Sequence, residues 1–313
     1  MASAWEKAHQ KYLRFKQKID DLLQKERPAD KNDLMNYKSK SVFTYSSVAI
    51  GYPVFPMWLF RFDDLLKRPL TVNINSYRFQ REKHQKDVID ELVNIHIRKA
   101  GQALFKEIEG TGKRLWIEPY WSFGKTAYKN DNALFPQLGP NATEQRSGKP
   151  DAKKRTNALI KFTPAMWGKP SFDPKTNLST GTSGISGPAS AADEVLFHEM
   201  VHASRDMRGV SEKQSVDKGY ENSEEFYAVV LANVYLAEKQ QKSLRASHEG
   251  HATLASPEKF LDNVQRINPS PKALLAKLFN EQQRFFKELA DITEQSAWWN
   301  PVRDFGRQTG VTK

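Results

Sequence analysis

The chemistry-bearing residues of this chain concentrate in DEVLFHEMVHASRDMRG, residues 193–209. His198 and His202 lie four residues apart there, and Glu199 follows the first. On a helix that spacing puts both imidazoles on one face. Two nitrogens then reach a single Zn2+ ion, and Glu199 can take a proton from water beside it. Zinc acidifies that water and polarises a carbonyl, which suits attack on an amide. The rival reading is a buried helix with two satisfied histidines. With seven histidines in 313 residues, a chance pair bracketing a glutamate at this spacing is rare.

A catalytic zinc takes three protein ligands and keeps one open position. The third donor is sought in YENSEEFY, residues 220–227, which offers Glu221, Glu224 and Glu225. Glu225 shares a helical face with Val229, Ala232 and Leu236, and Glu224 shares one with Ala228, Leu231 and Tyr235. Register alone leaves both open. Asn222 and Glu225 also fit a capping box, in which the glutamate serves only the backbone. The oxyanion that develops during amide attack needs a donor. Tyr220, the nearest in sequence, ranks first for that role, before His251 and His248 of SHEGHATL.

These residues must be held by particular elements. Val195, Leu196, Phe197, Met200 and Val201 predict that the helix carrying them is buried, with Gly209 as its stop. Ser190 and Asp193 predict a capping box at its start. A second helix is predicted from Asn222, and another from Ser270-Pro271. Upstream, Val72 and Ile74 alternate with polar residues and predict a strand. Ile89, Val93, Ile97, Ala100, Leu104 and Ile108 predict one helix closed by Gly110. Strands are predicted at 114–120 and 157–162, the latter beside the cleft as an edge that could pair with an extended peptide. Residues 139–156 read as a polar basic loop, and 178–190 as a flexible Gly/Ser connection without the lysine of a phosphate loop. Residues 2–26 carry an amphipathic helical stripe. The uncharged stretch 41–60 contains Gly51, Pro53 and Pro56, and reads as buried irregular or extended structure, with no stable membrane insertion.

HEMVHA followed by NSEEF resembles the NleD-like zinc metallopeptidase effectors of bacteria and, more distantly, anthrax lethal factor, both gluzincins. The order of strand, long helix, strand, then a strand ending in Phe-Thr-Pro is also similar, over roughly residues 70–240. The resemblance implies that His198, His202 and Glu225 bind zinc and that Glu199 is the base. It implies an α+β, zincin-like fold with a small mixed sheet packed on helices. The expected organisation is an N-terminal helical extension, 1–66, and a metallopeptidase domain, 67–313. It further implies a secreted effector or toxin that cuts a protein or peptide in a host or competitor cell, with delivery machinery or an immunity protein as further partners. HEMVHA also resembles the start of SprT-type proteases, but no histidine follows His202 until His248, which argues against that family.

Composition constrains the rest. Lysine plus arginine exceeds aspartate plus glutamate by 48 − 37 = 11. The basic residues are spread along the chain, which reads as a solvated surface and specifies no nucleic-acid partner. The absence of cysteine excludes disulfides, thiolate ligands and a cysteine nucleophile. The charged N-terminus has no apolar signal region, so synthesis in the cytoplasm and export by a specialised secretion system are expected. Two rivals remain at this point: a zinc-dependent cell-wall amide hydrolase, and a nonenzymatic basic protein with structural metal.

Overall fold

The computed structural model describes residues 48–50, 74–118, 143–146, 157–167, 171–173, 178–180 and 186–311. The predicted helix at 2–26 and most of the 41–60 stretch lie outside the described residues. Within that stretch, β1 (Val48–Ile50) is extended and Val48 is buried. Helix α1 (Ile74–His96) follows, then α2 (Lys99–Gly110), β2 (Leu115–Glu118), β3 (Thr143–Arg146) and β4 (Ala158–Lys161). A short hairpin, β5 (Ser171–Asp173) and β6 (Leu178–Thr180), precedes the motif helix α3 (Ala192–Arg208). The strand pair β7 (Ser215–Val216) and β8 (Glu221–Asn222) leads into α4 (Ser223–Glu238). A 3-10 turn at Pro257–Asp262 and three α-helices complete the described residues: α5 (Pro271–Glu281), α6 (Gln283–Ala290) and α7 (Pro301–Thr309). The result is a helix-rich α+β structure with small sheets.

The main sheet has the order β1-β2-β4-β3, with β1 and β4 parallel to β2 and β3 antiparallel to β4. Leu115, Ile117, Ala158 and Ile160 point from it into the core, the period-2 alternation a half-buried sheet requires. Helix α3 packs on β3 and β4 on one side and on α4 on the other. Two expectations are corrected here. The polar segment 139–156 is not all loop, because β3 arises within it. Strand β4 is consequently interior, flanked by β2 and β3, and among the described residues the edge near α3 is β3.

Of the strand predicted around Val72 and Ile74, the part from Ile74 on is instead the start of α1, and Val72 lies outside the described residues. The single helix expected through Ile89 and Ile108 is two. Its apolar spacing runs straight across a corner at Ile97 and Arg98, where Ile97 is 58% exposed. A Cβ on Gly101 would lie 1.8 Å from the Ile95 carbonyl oxygen, so only glycine permits this turn. The Glu238 carboxylate accepts from the N–H groups of Lys99 (2.6 Å) and Ala100 (2.9 Å) and so caps α2 from the end of α4.

Helix α3 begins with Glu194 accepting from the Ala191 N–H at 3.1 Å. The Ser190 hydroxyl donates to the Gly187 carbonyl instead, so the predicted cap shifts by one residue. The stop at Gly209 is as expected, with a left-handed φ of 77°. Asp193 accepts from the Tyr235 hydroxyl and from Lys239, both at 2.6 Å, and ties the start of α3 to the end of α4.

Glu91 of α1 lies beside this cluster. Burial and the Asp193 charge raise its carboxyl from an ordinary value of 4.5 to about 7, against the opposing pull of Asn94 and Lys239. Between those values the folded chain binds more protons than the unfolded one, so this group lowers stability as pH rises through that window. Glu91→Gln is therefore expected to raise the melting temperature at pH 8 and to leave it nearly unchanged at pH 4. A shift of equal size at both pH values would contradict this.

Candidate metal centre

The centre is assembled where α3 crosses α4. Asn222 begins α4, its side chain accepting from the N–H groups of Glu224 (3.0 Å) and Glu225 (3.2 Å). The capping box itself does not form. The Asn222 N–H donates to the Tyr220 carbonyl at 2.7 Å, and the Glu225 carboxylate turns toward the histidines. The β7–β8 pair fixes this start, helped by Ser223, whose hydroxyl donates to the Glu212 carbonyl.

The three glutamates of the segment then face different surroundings. Glu224 is buried and accepts from Arg205 Nε at 2.7 Å and Arg205 Nη2 at 3.0 Å. Glu221 is exposed and meets His248 Nδ1 at 3.0 Å. Glu225 Oε2 lies 3.3 Å from His198 Nε2 and 3.2 Å from His202 Nε2. The two histidine nitrogens are themselves 3.2 Å apart.

These spacings test whether a metal suits the site. A tetrahedral zinc with bonds of about 2.0–2.1 Å separates its ligand atoms by about 3.3–3.4 Å. The three observed edges, 3.2, 3.2 and 3.3 Å, match that triangle. His198, His202 and Glu225 form a group able to hold a metal ion among the described residues. The donor set, two imidazoles and a carboxylate, is one zinc accepts.

Burial and mutual contact shift the proton affinities of the three groups in different directions. Burial pushes the His198 imidazole down to about 3, which keeps it neutral, the form that binds metal. Burial also opposes charge on His202, but the Glu225 carboxylate outweighs it, with Glu199 and Glu224 adding to the same effect, and His202 rises to about 9. Hydrogen bonds from both histidines overcome the cost of burying Glu225 and hold it well below the usual carboxylate range. Glu199 is half-buried on α3, close enough for its charge to act on both His202 and Arg245.

The other sequence candidates fall differently. Tyr220 is buried, and its hydroxyl donates to the Ala246 carbonyl at 2.6 Å. Burial pushes that phenol well above its ordinary value. His251 Nδ1 donates to the Pro188 carbonyl at 2.8 Å. Neither is drawn into the donor triangle. His248, ranked last from sequence, reaches it: His248 Nε2 lies 3.3 Å from Glu225 Oε2, and its ring stacks on His198.

The family model Peptidase_M91, described as effector protein, matches residues 73–257, more than half of the chain. The chain belongs to this family. The match bears out the NleD-like resemblance, a family of bacterial effector metallopeptidases. No curated protein and no solved structure matches the chain.

Beneath the triangle, Arg205 is fully buried and satisfied by Glu224, Glu281 (2.8 Å), Gln282 (2.8 Å) and the Val210 carbonyl (3.2 Å). Removing one partner of such a pair strands the other. Arg205→Met is expected to cost about 3–5 kcal/mol in a urea titration, with Arg205→Met/Glu224→Leu recovering part of it. A single variant that costs under about 1 kcal/mol would place no weight on this pair.

Proposed function

We propose that this effector is a zinc-dependent endopeptidase of the gluzincin type. The observation carrying this is the closure of His198, His202 and Glu225 into a triangle of tetrahedral-zinc size, with Glu199 one residue along α3. Zinc, when bound, supplies Lewis acidity that acidifies water and polarises a carbonyl. His198 and His202 would hold it from α3, and Glu225 from α4. Glu199 accepts the proton of the attacking water and returns it to the departing amine, so the base becomes the acid. Half-burial keeps Glu199 close to this exchange and still open to substrate.

The crossing of α3 with α4 and the sheet alongside support a zincin-like fold. Edge strand β3 is the place where an extended polypeptide would pair by its backbone. Membership of an effector family supports a protein target in a host or competitor cell and export by a specialised secretion system. No described helix is long and apolar enough to cross a membrane. Structural zinc normally has four protein ligands, and the three-donor set among the described residues favours a catalytic site.

Purified chain is expected to hold about one zinc per molecule, as a three-ligand catalytic site would. Glu199→Ala should keep that zinc and lose at least about 100-fold in hydrolysis, since it removes a base and no ligand. Metal analysis that finds no zinc uptake, or a Glu199→Ala chain that still hydrolyses normally, would overturn the mechanism.

A further inference from the structure

Four observations meet at His248. Its Nδ1 contacts Glu221 Oε1 at 3.0 Å, and its Nε2 lies 3.3 Å from Glu225 Oε2. Its ring stacks on His198 with centroids 5.8 Å apart and planes 15° from parallel. The loop carrying it is braced from inside. Arg245 is buried and donates to the carbonyls of His248 and Gly250, while its own backbone is paired with the Asn233 side chain of α4.

The partner side is equally constrained. Glu221 holds φ at 62°, left-handed backbone that a residue with a side chain adopts only under compensation. Such strain concentrates where a side chain must be aimed. Lys218 and Gly219, just before it, are also left-handed, at 60° and 81°. A Cβ on Gly219 would press to 3.0 Å of the Ser247 hydroxyl oxygen, so this turn fits closely under the His248 loop.

We propose that His248 is a catalytic residue of this site and that Glu221 is its positioning residue. This rests on the zinc-peptidase reading. Carboxylate oxygens only accept, so the contact with Glu221 calls for an N–H at Nδ1. Glu221 takes the Nδ1–H and fixes the ring plane. The Nε2 edge of the ring then lies beside the Glu225 carboxylate, at the rim of the donor triangle. A substrate carbonyl drawn to the centre meets this edge, and in the proposed step the ring donates to its oxygen as negative charge grows there. Among the described residues, His248 is outside the group able to hold a metal, which suits a donor and not a fourth ligand.

The test uses the full chain loaded with zinc and the peptide that the native chain cuts fastest in a degenerate peptide library. His248→Phe keeps a ring to stack on His198 and removes both nitrogens. It should retain one zinc per chain and lower kcat by about 100-fold or more, with KM changed little. Affinity for a phosphinic analogue of that peptide, measured by calorimetry, should fall in proportion. Glu221→Ala should move kcat in the same direction, and Glu221→Gln, which still accepts from Nδ1, should restore most of it. If His248→Phe does not fold, His248→Ala carries the same comparison. Unchanged kcat and analogue affinity, or loss of zinc, would overturn the role of His248. A native chain that takes up no zinc or cuts no peptide would instead overturn the zinc-peptidase reading, and this inference with it.

Discussion

The buried pair between Arg205 on α3 and Glu224 on α4 is the constraint on which the rest of the structure depends. Arg205 follows His202 by three residues, so it lies on nearly the same helical face, one turn on. Glu224 precedes Glu225 by one residue, a rotation of about 100° on its helix. Pairing Arg205 with Glu224 therefore fixes both the crossing and the roll of α4. Glu225 is left pointing at the histidines. Buried ion pairs add little to stability compared with apolar packing. Their use here is geometric: the buried guanidinium is held at once by Glu224, Glu281, Gln282 and the Val210 carbonyl, which fixes its place. Tyr227 covers its face at 4.2 Å, and Gln282 links it onward to Glu107 at 2.9 Å. The floor of the site is thus tied to α2, α5 and α6.

That constraint explains what could be read from the sequence and what could not. His198, Glu199 and His202 were legible because their relation is local, set by 3.6 residues per turn. The Gly209 stop and the Asn222 cap were legible for the same reason. The choice between Glu224 and Glu225 was not, because both lie on apolar faces of a helix that is buried all round. Only a partner from another element separates them, and nothing local announces that Arg205 is that partner. The nearness of His248 to Glu225 was not legible for the same reason. Tyr220 is nearer in sequence, but the loop after α4 folds back, with Leu254 and Leu244 joined by a backbone hydrogen bond of 2.7 Å. His248 is brought over Glu225 by that return.

The misplaced elements have local causes. Two apolar residues alternating with polar ones around Val72 and Ile74 are too few to separate a strand from the first turn of a helix. The stripe through Ile89 and Ile108 kept its spacing across the α1–α2 corner, and the marker of that corner was Gly101, three residues past Arg98. Strand β3 escaped notice because Thr-Glu-Gln-Arg has no apolar alternation; pairing with β4 defines it.

The claim that Glu225, released by the Arg205–Glu224 pair, completes the metal centre is tested most directly by zinc affinity of Glu225→Gln and Glu224→Gln, measured side by side. Glu224→Gln keeps an acceptor for Arg205, so it should lose some stability and keep tight zinc. Glu225→Gln should fold and melt much as the native chain does without metal, and bind zinc more than about 100-fold more weakly, beyond the loss typical of an outer contact. Glu225→Gln binding zinc as tightly as the native chain would contradict the assignment.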